Sequence, residues 1–336
     1  MKLSIIVPCF NAEKSLAQCL DSLIASTYEP KEIIAVNDGS ADGTQRILEE
    51  YAREYEFIHI YSKPNEGVSA TRNYGIGRST GELITFVDAD DFMEPDAYQN
   101  MIARLIADDS DVVYCGTKKV FGSRIEEKSF DCKELYTDTT ELIKYSMNYK
   151  PKFACHSACS GIYKRELLNQ MKHLFLPFDI YFSEDTIFNV QYLRLAKRAS
   201  IVKKSYYNYI QHTSGSLSSS FKESKINAAG RMCRHLMEDE LSAEIRQYIL
   251  INYLVNLSTC FIGLCMDSNR RKIDKLSVIK RAVSSLEVKD LLSELSPEKL
   301  SAKFRVFHKL ILLRFYVSIF IMFSINALRR KVKFRG

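Results

Sequence analysis

The sequence predicts an α/β fold, in which a mostly parallel sheet flanked by helices precedes a mainly helical C-terminal region. Three observations lead there. Short, mainly apolar runs recur at 3–7, 32–36, 57–61 and 83–87. Amphipathic segments with helical spacing separate them. Beyond Ser224 the pattern becomes helical, with a strongly apolar stretch from Tyr248 to Cys265. A strand that is apolar on both faces is buried on both, as in parallel sheets covered by crossover helices.

Leu3 to Val7 forms the first expected strand and Pro8 breaks it. Asn11 is placed to cap the next helix, whose Leu16, Leu20, Leu23 and Ile24 share one face. Glu32 to Val36 is the second strand, ending in the polar turn Asn37-Asp38-Gly39-Ser40. Ile47, Leu48, Tyr51, Ala52 and Tyr55 mark a helix, Phe57 to Tyr61 a strand and Glu66 to Ile76 a helix. Leu83 to Val87 is the fourth strand and runs into Asp88. Next come a helix carrying Met101, Leu105 and Ile106, a strand from Asp111 to Cys115, and a strand at Gly161 to Tyr163 entering a helix at Arg165. The expected division is a domain over 1–222 with halves 1–97 and 98–222, a helical region over 223–298 and a basic amphipathic tail over 299–336.

The 336 residues are 46% hydrophobic and 26% charged, ordinary values for a globular chain with an ample core. The net charge of +6 is concentrated at the end, because Lys299 to Gly336 holds ten Lys or Arg and no Asp or Glu. The rest is slightly acidic, so a nucleic-acid partner is not expected. None of the nine cysteines is spaced C-x-x-C, and reduced, buried thiols are expected. The first apolar run is too short for a signal peptide, which points to the cytoplasm.

Five segments carry candidate chemistry. Asp88-Ala89-Asp90-Asp91 ends an apolar strand, where ligands of α/β sheets bind, and alternation would turn Asp88 and Asp90 to one side. Such carboxylates suit Mn2+ or Mg2+ together with substrate phosphates; an acidic turn or helix cap is the alternative. Asp38 also ends a strand and suits a base or ribose, or else an Asp-Gly turn. In Asn65-Glu66-Gly67-Val68-Ser69-Ala70-Thr71-Arg72-Asn73, Gly67 permits close backbone approach and Arg72 offers a planar fork, unless it is a helix-surface arginine. Ser183-Glu184-Asp185 presents a general base or a helix cap. Tyr206 to Ser216, which includes His212, reads as a loop that closes over a diphosphate or lies free on the surface.

These segments, in this order, resemble the family 2 glycosyltransferases, inverting enzymes of the GT-A fold. The resemblance rests on Ser4 to Asn11, Asn37 to Thr44, Gly67 to Asn73, Gly81 to Asp91 and Ser183-Glu184-Asp185, and covers about the first 220 residues. It implies a nucleotide-sugar-binding half (1–97) and an acceptor-side half (98–222). Pro8, Phe10 and Asn11 would contact the nucleotide base with Asp38, and Arg72 would help hold it. Asp88 and Asp90 would hold ribose, diphosphate and metal. Asp185 would be the catalytic base, with Glu184 the second candidate, and His212 would sit in the late loop. Cys9 and Thr71 stand where other small residues are more usual. The implied reaction is metal-dependent sugar transfer from a nucleotide sugar, a UDP-sugar first, to a glycan or lipid-linked acceptor in bacterial surface polysaccharide synthesis.

Two other readings compete. A sugar-phosphate nucleotidyltransferase opens with a glycine-rich basic loop, unlike Pro8-Cys9-Phe10-Asn11-Ala12. A non-catalytic nucleotide- or glycan-binding module would not need Asp38, Asp88, Asp90 and Asp185 together. In the tail, the apolar run is shorter than the ~20 residues of a spanning helix. Its basic flanks predict peripheral contact with the inner face of an anionic membrane, and a helix packed on the domain is the alternative.

Overall fold

The parallel half of the sheet follows directly from its apolar runs. In the computed structural model, residues 1–127, 132–147, 157–177, 183–211, 223–238 and 241–333 are described, with side chains to 327. β1 (Leu3–Cys9), β2 (Lys31–Asp38), β3 (Ile58–Lys63) and β4 (Leu83–Phe86) pair in parallel in the order β3-β2-β1-β4. Ile5, Ile6, Ile33, Ile34, Ile84 and Phe86 are fully buried, so successive side chains on both faces are covered. The connecting helices are α1 (Leu16–Ile24), α2 (Thr44–Glu54) and α3 (Val68–Arg78). All four strands aim their C-terminal ends at one edge, the usual place for a ligand in such sheets.

Beyond β4 the sheet becomes mixed. The elements are β5 (Phe92–Met93), α4 (Ala97–Ala107), β6 (Val112–Phe121), β7 (Arg124–Glu127), β8 (Leu135–Tyr136), α5 (Thr140–Met147), β9 (Gly161–Lys164), α6 (Arg165–Leu168), α7 (Glu184–Leu195) and β10 (Ala199–Ile210). The order continues β4-β9-β6-β10-β5. β9 is antiparallel to both neighbours, β10 runs parallel to β6, and β5 runs antiparallel to β10.

Four expectations change. Asn11 does not cap α1, because the helix begins at Leu16 and the Asn11 side chain accepts the Ala41 amide instead (2.9 Å). Residues 88–91 form a turn closed by the Asp91 amide on the Asp88 carbonyl (2.9 Å), so strand alternation does not govern their side chains. Ile106 is exposed on α4, whose inner face is Met101, Ile102 and Leu105. Tyr206 to Ile210 belongs to β10 rather than to a loop, since Tyr206 and Tyr207 are buried and tyrosine suits a pleated surface. Residues 212–216, with His212, lie outside the described residues.

The chain divides into two compact units, of which the second lies within 215–336 apart from two short segments. It contains α8 (Ser224–Met237), α9 (Ala243–Met266), α10 (Lys272–Ser284), α11 (Leu286–Ser293), α12 (Ala302–Leu312) and α13 (Tyr316–Lys333). Among the described residues α9 alone is long and apolar enough to cross a membrane, yet two-thirds of its apolar stretch is buried within the fold. Phe261 of α9, Phe307 of α12 and Phe323 of α13 meet edge-on with centroids 4.8–6.1 Å apart, so the tail helices share this core.

Candidate active site

At the end of β2, Asp38 is enclosed by donors. Lys63 Nζ, the Glu66 amide (3.0 Å) and the Gly67 amide (2.9 Å) all donate to its carboxylate. Burial pushes this carboxyl up, but Lys63 and the two amides outweigh it and hold the group below the usual range. The turn needs its glycines. Gly39 has φ +71° and a Cβ there would lie 2.8 Å from the Asn65 nitrogen, while Gly67 has φ +89°. Asn11 joins the β1 and β2 loops, since its own amide also donates to Ser40 Oγ (3.0 Å). Nearby, Pro8 is half-buried in β1 and the Phe10 side chain stands exposed.

The end of β4 is organised around Arg72, which α3 delivers fully buried. Its Nη2 donates to Asp88 (2.8 Å) and its Nη1 to Asp185 (2.9 Å), with Glu184 at 3.5 Å. One face of the guanidinium lies over the Phe175 ring at 5.1 Å. Phe175 is fixed by Asn73, whose amide group donates to the Phe175 carbonyl (2.8 Å) and accepts its N–H (2.9 Å). The ring also stacks on Phe188 of α7 at 4.2 Å. Arg72 and Asn73 thus act together, the second holding the floor beneath the first. Nη2 also reaches the Cys159 thiol (3.9 Å), and Nε is buried with no hydrogen-bond partner among the described residues.

Glu184 and Asp185 open α7 after Ser183, whose backbone is left-handed (φ 59°) and whose side chain caps nothing. The cap reading for Ser183 therefore fails; its hydroxyl pairs with Thr186 (2.7 Å). Burial is the main cause that raises Glu184 to about 7, followed by the charge of Asp185, with Arg72 opposing. Asp185 is raised by burial and by Asp88, against Arg72, the Ala158 amide and the Ser157 hydroxyl. A carboxyl pair whose affinity for protons is raised by burial is suited to taking a proton.

Within the turn, Asp90 is exposed, Asp88 is about one-third exposed and Asp91 is buried. Asp91 accepts from the Tyr207 hydroxyl (2.6 Å) and the Ile210 amide (2.8 Å), and the Asp88 amide donates to the same hydroxyl (3.3 Å). Burial and the Asp88 charge push Asp91 up to about 8. Phe175 carries no signal in the sequence, and Tyr207 falls within the Tyr206 to Ser216 segment expected as a loop; the alternation Tyr207–Tyr209 in a strand context is the one local signal for its role here. No group of three or more His, Cys, Asp or Glu suited to a metal occurs among the described residues. The two accessible carboxylates Asp88 and Asp90 match instead a hard cation that takes one or two carboxylates and completes its shell with substrate phosphates.

Comparison with known proteins agrees with this layout. The glycosyl transferase family 2 model matches residues 4–171. The uncharacterized glycosyltransferase EpsJ of Bacillus subtilis is 33% identical over 210 residues, 61% of this chain and 60% of EpsJ. The chain therefore spans less than two-thirds of that relative. TarS 1–349 of S. aureus in complex with UDP-GlcNAc superimposes with TM-score 0.74 at 20% identity, covering 98% of this chain and 92% of TarS. The mannosyltransferase PcManGT of Pyrobaculum calidifontis, in complex with GDP-Man and Mn2+, gives TM-score 0.54 at 16% identity, covering 97% of this chain and 86% of PcManGT. At those identities the likeness shows the shared fold. The family match spans half the chain and takes in both strand-end aspartates, Arg72 and the acidic turn, which places this protein in glycosyl transferase family 2.

Proposed function

We propose that the protein is a metal-dependent inverting glycosyltransferase that moves a sugar from a nucleotide-sugar donor to a hydroxyl of a glycan or lipid-linked acceptor. The observation that carries this reading is Arg72, which ties a sheet-edge carboxylate (Asp88) to a pair of carboxyls of raised affinity for protons (Glu184 and Asp185). Asp88 and Asp90 would hold Mn2+ or Mg2+ with the donor diphosphate. A bound divalent cation offsets the charge on the departing phosphate. Asp185, or Glu184 beside it, takes the proton of the acceptor hydroxyl, and the hydroxyl oxygen attacks the anomeric carbon as the bond from that carbon to the diphosphate oxygen breaks and the nucleoside diphosphate leaves. Pro8, Phe10, Asn11 and Asp38 shape the nucleotide side, and His212 belongs to the segment that follows β10.

UDP is the proposed nucleotide, a choice supported by the TarS complex with UDP-GlcNAc, and Mn2+ in the PcManGT complex supports the metal. The name of TarS, a poly(ribitol-phosphate) beta-N-acetylglucosaminyltransferase, supports a role in bacterial surface polymer synthesis. The proposed location is the inner face of the cell membrane, with peripheral contact through 299–336. Hydrolysis of a panel of nucleotide sugars, with Mn2+ or Mg2+ and with chelator, tests the reading in wild type and Asp90→Ala. Metal-dependent release of one nucleoside diphosphate, lost in the variant by at least ~100-fold, is the expected result. Turnover that ignores both chelator and the substitution would overturn the metal assignment. An absence of turnover with any donor, even with acceptor glycans supplied, would overturn the enzyme itself.

A further inference from the structure

We infer that the outward faces of α12 and α13 form one docking surface for an anionic lipid bilayer, a reading that deepens the membrane contact proposed above. Large apolar side chains rarely crowd together on a surface. Of the fourteen exposed in the described residues, six lie within twenty positions: Val306, Leu313, Phe315, Val317, Ile321 and Ile325, each 47–55% exposed.

These side chains are not outward because the helices lack a place to pack. On α13 the stripe Ile319, Phe323 and Ala327 is buried, and on α12 Phe307, His308 and Ile311 are buried. His308 Nε2 bonds the Leu292 carbonyl at 2.7 Å. The inner faces are satisfied, and Val317, Ile321 and Ile325 repeat at i, i+4, i+8 on the other side. A second apolar stripe on a helix already docked by its first needs a second apolar neighbour.

The turn between the helices adds an independent sign. Arg314 has a left-handed backbone (φ 57°) at the end of α12, a position where glycine is favoured. The Phe315 amide closes the turn on the Leu310 carbonyl (2.9 Å). The strain places an exposed arginine between exposed Leu313 and Phe315 at the tip.

Charge selects the occupant. Lys303, Arg305, Lys309 and Arg314 are exposed, and no Asp or Glu occurs from Lys299 to the end. A second copy of this chain in a two-fold contact would set these cations against themselves. An anionic bilayer accepts both the apolar stripe and the basic rim. The mainly apolar stretch Tyr316–Ala327 is twelve residues, too short to span a bilayer, so the helix lies in its plane.

Vesicle co-sedimentation of the full chain tests this without donor or acceptor, so its outcome is separate from that of the transferase assay. Wild type is expected to bind phosphatidylglycerol vesicles and to bind phosphatidylcholine vesicles weakly. The variant Leu313→Ser/Phe315→Ser/Ile321→Ser/Ile325→Ser should lose at least ~10-fold in binding, given ~25 cal/mol per Å2 of apolar area withdrawn from water. Lys303→Glu/Arg305→Glu/Lys309→Glu should lose the preference for the anionic lipid. Unchanged circular dichroism certifies the fold of each. Failure of wild type to bind phosphatidylglycerol, or equal binding by the apolar variant, overturns the inference. A wild-type dimer that the apolar variant makes monomeric overturns it too, in favour of a second copy.

Discussion

Two strand ends on the same sheet edge treat their acids in opposite ways. At β2, Asp38 is held by Lys63, which also reaches the exposed Glu66 (3.0 Å), and by two amides, and its carboxyl is held low. At β4, Asp88, Glu184 and Asp185 share the single guanidinium of Arg72, and Asp91 sits beside them with its carboxyl raised to about 8. The first end is electrostatically closed and fixes a turn. The second has more carboxylate than described cation, so it gains from a divalent ion and from giving up or taking protons. An imbalance of this kind costs stability and is kept where chemistry requires it.

The largest way to break this contrast is Arg72→Met. Removing the shared cation leaves buried carboxylates uncompensated, which costs about 3–5 kcal/mol. Chemical denaturation should show that loss, and added Mn2+ should recover part of it. Lys63→Met should also destabilise, but without recovery by Mn2+; equal recovery in both would erase the distinction between the two ends.

A smaller effect sharpens it. Glu184 is raised from 4.5 to about 7, so the folded protein holds this proton more tightly than the unfolded chain. Its contribution to stability is full below pH 4.5 and falls as pH rises towards 7. Glu184→Gln should therefore melt like wild type at low pH and a few degrees (about 2–4 °C) higher at pH above that window, in chelator. Thermal melts across pH decide it, and a variant that is less stable at high pH would contradict the raised carboxyl.

The smallest effect concerns the turn. Tyr207→Phe removes the hydroxyl that receives the Asp88 amide and donates to Asp91, at about 1 kcal/mol of stability. The metal concentration for half-maximal donor turnover should rise several-fold while the saturated rate changes less. A fall in saturated rate alone would assign Tyr207 to the chemistry rather than to positioning the turn.

Much of the parallel half was legible because its information is local. Apolar runs gave β1 to β4, and Asp38 and Asp88 were placed at strand ends by the runs that precede them. The far half was less legible. β5 and β8 are two residues each, too short for a periodic signal, and although the strand at Gly161 was legible, its antiparallel pairing with β4 and β6 joins segments far apart along the chain. Asn11 illustrates a local rule overridden, because the Ala41 amide from the neighbouring loop offered a better-placed donor than the helix start. In the tail, the apolar run and basic flanks were visible, but which side chains face in was not.

By itself the sequence determined the alternation of strands and helices, the acids at two strand ends and the basic, apolar C-terminus, all of which are properties of neighbouring residues. The tertiary structure alone decided that Arg72, which holds Asp88, also reaches Asp185 113 positions further along the chain, and that α13 has a stripe left outward. Those facts depend on which distant surfaces meet and which do not, and burial rather than residue type sets the charge state and the exposure that follow.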